Sequence, residues 1–331
     1  MSRLDEVLPR RIDGRLLAIA SVLTLIGIAM VVSTTSDTVR GGLGGKQALF
    51  AALGVVFAFA FLLVDYRILL QYSPGLYAVS LFFLIWLPIL GRRIAGAKSW
   101  IKIGAFQFQP SEFVRLSLAL LLAWVLENDD RAFLRRRSIV LLTAAVGLPV
   151  LLILAGTLVV GGSWFFLKDY QKDRIRTFLD PNLAARGAGY QVRQARIAVG
   201  SGGIFGKGWK KGTQSRLGFL PVRHTDFVFA ALAEEWGFAG VAAVVALYGL
   251  LLGRAFNVAR NARDRGGSML VLLLALNIGV QAAVNVAMNI GLLPTTGITL
   301  PFLSYGGSSL LASWGMVGLM LSVAYRRYVN V

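Results

Sequence analysis

Apolar residues run along this chain in long blocks, and eight of them stand out: 16–33, 47–64, 74–90, 112–126, 138–167, 227–252, 269–292 and 306–324. Crossing a hydrocarbon core of ~30 Å takes about 20 apolar residues in a helix, which satisfies its own backbone where no water can. The blocks predict an all-α polytopic integral membrane protein with about eight transmembrane helices. The alternating ten-residue segments of a membrane barrel are missing from the sequence. Block 138–167 is too long for one upright helix and too short for two with a turn, and Pro149 and Gly161-Gly162 interrupt it. The first block has charged flanks but no small-residue cleavage site after it, so it reads as a retained anchor.

Composition fits this picture: 56% of residues are hydrophobic and 15% charged, with a mean hydropathy of +0.68, outside the range of soluble domains. No cysteine and a single histidine exclude disulfides, thiolate metal sites and histidine clusters.

The net charge of +18 matters through its placement. Arg3, Arg10, Arg11 and Arg15 precede the first block, and Arg131, Arg135, Arg136 and Arg137 follow the fourth, which puts both clusters in the cytoplasm. With one crossing over 138–167, segment 168–226 lies outside and both termini lie inside; a hairpin there would reverse every later loop. Charge alone does not decide, because 168–226 carries twelve Lys/Arg against four Asp, a net of +8. A basic segment held outside points to an anionic ligand on that face.

Two segments that break the apolar pattern, 91–111 and 168–226, are the expected extracytoplasmic loops. In the second, YQVRQARIAV reads as a short interfacial helix with Arg193 and Arg196 one turn apart. GSGGIFGKGW imitates a phosphate loop around Lys207, but Ser201 stands where the first glycine belongs, Gly208 replaces the Ser/Thr, and no strand precedes it. Asn277, Gln281, Asn285 and Asn289 recur every four residues as a polar stripe, either bonding between helices or facing a cavity. The following LPTTGITLPFLSYGGSSL reads as a broken connection that carries Ser304 and opens a helix N-terminus at Ser308, a place that attracts phosphate.

Candidate chemistry gathers at the block edges. Asp226, beside Arg223 and the sole histidine, His224, is placed to act as a general base, or else to cap the helix that follows. Glu234 and Glu235 lie deeper, and at least one must face the bundle or a cation. In the earlier loop, Lys98 and Lys102 flank Trp100, and Pro110-Ser111 opens a helix carrying Glu112 and Arg115, either an ion pair or part of an anionic head-group site.

KSWIKIGAFQFQPSEFVRLSLA, DYQKDRIRTFLDPN, GAGYQVRQARIAVGSGGIFGKGWKKGTQSRLGFLPVRHTDFVFAALAEEWGFAG and MNIGLLPTTGITLPFLSYGGSSLLASWGMVG closely resemble the RodA/FtsW, or SEDS, family, with RHTDF pointing to the RodA branch. The resemblance covers nearly all of 1–331 as a single domain. It implies a peptidoglycan glycosyltransferase of the bacterial inner membrane that polymerises lipid II during cell elongation and partners a single-pass class B penicillin-binding protein. No nucleic acid or nucleotide is involved, and a divalent cation, Mg or Mn, at the pyrophosphate is left open. By matching motifs, Asp226 falls on the family's proposed catalytic aspartate, while Lys98, Trp100 and Glu112 fall on positions associated with activity, and Arg115 stands where lysine is commoner. The family usually has ten spans; set against that resemblance, about forty residues, with a Pro-Asp-Leu-Gly-[Thr/Ser] motif, are expected to be missing after the fifth, with block 138–167 as the junction. A lipid-carrier flippase, a different polytopic polymerase and a noncatalytic scaffold are the competing readings.

Overall fold

The structure, a computed structural model, describes residues 12–36, 42–94, 97–103, 106–128, 188–220, 222–295 and 297–327. Block 138–167 and its expected junction lie outside the described residues. The other seven apolar blocks are helices: α1 (Gly14–Thr35), α2 (Leu43–Leu63), α4 (Ser73–Leu90), α5 (Pro110–Asn128), α8 (Val228–Arg260), α9 (Arg265–Asn289) and α10 (Gly307–Arg326). Three short helices complete the order: α3 (Tyr66–Gln71), α6 (Ala188–Ser201) and α7 (Thr213–Arg216). Of these, α1, α2, α8, α9 and α10 are each long and apolar enough to cross a membrane unaided.

Helix ends follow local chemistry. Prolines open α4 and α5, where the missing N–H would have had no helical partner. Asp13, Asp65 and Asp264 accept from backbone amides at the starts of α1, α3 and α9. Between α4 and α5 the expected outer loop is an antiparallel sheet, β1 (Arg92–Ile94), β2 (Ala97–Ile103) and β3 (Phe106–Phe108). Ile101 of β2 packs on a small cluster of Tyr77, Leu84, Leu87 and Val114, which fixes the sheet across the ends of α4 and α5.

The core is built on α10, most of whose residues are buried. Small residues bring backbones close: a Cβ on Gly54 of α2 would strike Trp314, and one on Gly318 would strike the Ala58 backbone. Gly27 of α1 likewise lets the Phe302–Leu303 backbone lie directly on that helix.

The two ends of the bundle differ. At one, which we call the clasp end, Arg254 pairs with Asp13 at 2.8 Å, Arg326 with Asp65 at 3.3 Å, and Arg67 with Asp264 at 2.8 Å. Tyr66 Oη also donates to Asp264, at 2.5 Å. The other end holds the candidate site described below. Glu127 near the end of α5 abuts Gly266 at the clasp, whereas α8 begins at the site end, where its Glu235 meets Ser33 near the end of α1. Helix α5 thus ends at the clasp, and α8 begins at the site end.

The clasp is testable. Partial burial alone would raise the Asp264 pKa, but the Tyr66 hydroxyl, the Gly267 amide and Arg67 outweigh it and hold the carboxyl below the usual carboxylate range. A depressed folded-state pKa gives stability above the unfolded value of about 3.9 that is lost as pH falls through the folded value. We expect Asp264→Asn to cost about 1–3 kcal/mol at pH 7, with the gap to wild type closing below about pH 4. Thermal unfolding in detergent across that range checks it; identical melting at pH 7 would mean the clasp contributes nothing.

Candidate active site

The site end is organised by an interruption in α8. Gly237, at φ 66° and ψ −166°, splits that helix into 228–236 and 238–260. A break of this kind orphans carbonyls above it and amides below it. The glycine-rich loop 202–208 supplies partners for both. Lys207 N and Gly208 N donate to the Glu234 and Glu235 carbonyls, and Phe238 N and Ala239 N donate to the Gly203 and Ile204 carbonyls. The approach leaves no room for side chains: a Cβ on Gly202 would collide with the Ala233 carbonyl, and one on Gly206 with that of Glu235. The stretch that mimics a phosphate loop is thus a plug for a broken helix.

Both glutamates are buried there, and each has partners. Glu234 accepts from Lys207 Nζ at 2.8 Å, from Thr213 Oγ1 and from the Gln214 and Ser215 amides. Lys207 Nζ also reaches Ser201 Oγ and Thr213 Oγ1, so this cation is committed to seating the loop. Glu235 accepts from Ser33 Oγ and Lys210 N. Beside them, Arg223, Arg216 and Lys210 line a shallow polar recess with Ser33, Ser215 and Glu235.

Asp226 sits in the turn that follows. Asn285 Nδ2 and Asn289 Nδ2 of α9 donate to its main-chain carbonyl at 3.1 and 3.0 Å, and Asn289 Oδ1 accepts from Ala230 N. Three of the four stripe residues therefore bond to backbone, with Gln281 reaching the Thr299 carbonyl in the same manner, while Asn277 Oδ1 is buried without a hydrogen-bond partner among the described residues. Ser304 Oγ donates to the Thr225 carbonyl at 2.6 Å, and Tyr305 N donates to that of His224. The His224 ring lies 5.8 Å from that of Tyr305. The cap position of α8 belongs to Phe227, which makes no side-chain cap bond. Its carboxylate is half-buried and faces Gly297, where a Cβ would lie 3.8 Å from Oδ2.

Gln47, which no local pattern singles out, links this turn to the start of α10. Its side chain donates to the Ser304 carbonyl and accepts from Gly306 N. Ser308 Oγ accepts from Gln109 N, which ties the start of α5 to the same place. Glu112, buried, forms its ion pair with Arg115 one turn along. Trp100 occupies β2 opposite Arg92; Lys98 and Lys102 hold alternate positions of the same strand, opposite Arg93 and Gln107. Helix α6 packs Ala195 and Ala198 on Phe227, Ala230 and Met288, and leaves Arg193 and Arg196 exposed.

Three non-glycine residues among those described have positive φ: Lys210 at 60°, Val222 at 56° and Phe302 at 66°. For a β-branched residue such as Val222 this is strained backbone, which persists only where the surroundings over-determine it and which clusters at functional sites. Among the described residues, no group of three or more His, Asp or Glu side chains is placed to hold a metal ion.

The chain matches the cell cycle protein family FTSW_RODA_SPOVE over residues 14–160 and 138–329, two matches that overlap within block 138–167. It is 33% identical to the peptidoglycan glycosyltransferase MrdB of Escherichia coli (strain K12), over 96% of this chain and 94% of that one. Among solved structures it superposes with TM-score 0.77 and 32% identity on a chain from a structure described as coordinating polymerization and crosslinking by a peptidoglycan synthase complex, covering 96% of this chain and 99% of that one. The crystal structure of the Thermus thermophilus rod shape determining protein RodA matches with TM-score 0.69 and 31% identity, covering 96% and 98%.

Proposed function

Since the chain belongs to the FtsW/RodA family of cell cycle proteins, we propose that it is a peptidoglycan glycosyltransferase that joins lipid II units into β-1,4 glycan strands, with Asp226 as general base. The observation that carries the assignment to Asp226 is its seating. The turn is held through main-chain carbonyls by Asn285, Asn289 and Ser304, which fixes where the half-buried carboxylate stands, facing Gly297.

In the reaction, the 4-hydroxyl oxygen of the acceptor sugar forms a bond to the anomeric carbon of the lipid-linked donor, with inversion. The bond from that carbon to the pyrophosphate oxygen breaks, and the hydroxyl proton passes to Asp226. The leaving polyprenyl pyrophosphate carries the driving force, so no nucleotide is needed. Arg193 and Arg196, exposed on a helix packed against the Asp226 turn, are the cations suited to the developing negative charge. Trp100, Lys98, Lys102, Arg115, Arg223 and His224 belong to the substrate-binding set in this reading; Lys207 supports the site from behind, through Glu234.

The site end is the extracytoplasmic face, with 91–111 and 168–226 as outer loops and both termini in the cytoplasm of a bacterial inner-membrane protein. In support, the clasp end gathers the residues next to both termini, Asp13 and Arg326. A single-pass class B penicillin-binding protein is the partner proposed, in keeping with the synthase complex that the structure resembles. The test is fluorescent lipid II given to the purified chain with its transpeptidase in proteoliposomes. Glycan strands resolved by electrophoresis support the polymerase. Movement of lipid II across the bilayer without polymer identifies a flippase, and neither outcome with a folded protein identifies a scaffold.

A further inference from the structure

The interruption of α8 fixes the height of the plug loop against the bilayer. From Phe238 to Arg260 the lower half of α8 has 23 residues, about 34 Å of helix and enough by itself for a ~30 Å hydrocarbon core. Gly237 therefore sits at the membrane boundary of the site end. The Glu235 bond to Ser33, near the last turn of the 22-residue α1, sets the same level independently. The plug loop cannot retreat from it, because Gly203 and Ile204 accept from Phe238 and Ala239, and Lys210 N is pinned to Ser33 and Glu235.

At that height the loop shows the wrong surface for water. Phe205 is 82% exposed and Phe238 69%, and Ile204 and Trp209 are exposed beside them. This apolar surface runs on into exposed Val245 and Phe256 along α8, the flank that any membrane span turns to lipid. Cations complete it: Lys210 Nζ lies 5.0 Å from the centre of the Trp209 ring, and Lys211 follows. From 181 to 233 the sequence has only one acidic residue, Asp226. Tryptophan prefers the interface, and lysine extends its charge from an apolar bed to phosphate.

We propose that Ile204, Phe205 and Trp209 form an anchor inserted into the leaflet at the site end, with Lys210 and Lys211 on the phosphates of anionic lipid. The anchor holds the plug, and with it the Asp226 turn, at a set depth where a lipid-linked substrate presents its sugars. That last step rests on the function proposed above; the insertion itself does not.

The absence of cysteine makes the test clean. Phe205→Cys and, separately, Trp209→Cys are labelled with an environment-sensitive fluorophore. Each purified protein, without any partner, is placed in nanodiscs of phosphatidylcholine and phosphatidylglycerol. Insertion predicts blue-shifted emission at both positions, loss of fluorescence with phosphatidylcholine bearing a shallow nitroxide, and little loss with aqueous iodide. Iodide quenching with no nitroxide effect at both positions overturns the proposal. So does shielding that arises only when a transpeptidase is added, which would mark the surface as a protein interface. Glycan synthesis is not the readout, so this test can fail while the polymerase assignment stands.

Discussion

Asp226→Asn is expected to lower lipid II polymerisation by about 10²–10⁴-fold, the usual worth of a general base, while the protein melts as wild type does. Asparagine has the same shape but cannot take the hydroxyl proton. The main-chain anchors of the turn are the same in the variant. Asn285, Asn289 and Ser304 hold main-chain oxygens of residues 225 and 226, and Phe227 occupies the helix cap. Measuring strand synthesis and thermal unfolding on the same preparation separates the outcomes. A variant that polymerises normally removes Asp226 from the chemistry. One that is inactive and also melts early makes it a structural residue whose loss of activity is indirect.

The spans were legible because bilayer burial demands unbroken apolar runs, and every block within the described residues is a helix. The short helix over YQVRQARIAV was legible too, lying within α6, as was the need for Glu234 or Glu235 to find partners, which both do. Three features escaped. The sheet was signalled by alternation in KSWIKI and FQF, yet those runs are short and lie between helical blocks that dominate any window. Gln47 opens an apolar block, and its bonds to Ser304 and Gly306 span more than 250 residues of sequence, beyond any local pattern. The break at Gly237 was written in EEWGFAG, but a glycine within an apolar run is also an ordinary packing residue in a membrane helix. Only the facing loop decides between those meanings, because Gly202 and Gly206 fit against the carbonyls of Ala233 and Glu235 and against nothing local. Sequence thus located the catalytic candidate and singled out Asn285, Asn289 and Ser304 around it, but missed Gln47, the sheet and the plug that faces the helix break.

That support yields the second large effect. Glu234→Ala is expected to unseat the plug, with a stability loss of about 2–4 kcal/mol, the cost of leaving several donors and a partly exposed lysine without their shared acceptor. The Glu234 side chain is fully buried, and Lys207, 27% exposed, loses its carboxylate. The amides of Gln214 and Ser215 and the hydroxyl of Thr213 lose their acceptor in the same step. Segment 201–216 should then open to protease, and polymerisation should collapse although Asp226 is untouched. Glu234→Gln keeps one oxygen for the amides and gives up the ion pair, so it should fall between wild type and alanine in both melting and protection. A structural role with no bearing on the turn would instead lower stability and leave polymerisation by the remaining folded protein unchanged. The expected result is a fall in kcat per folded molecule, because the plug, the upper half of α8 and the Asp226 turn are one hydrogen-bonded unit, and a base displaced by even 1 Å can lose about 100-fold in rate.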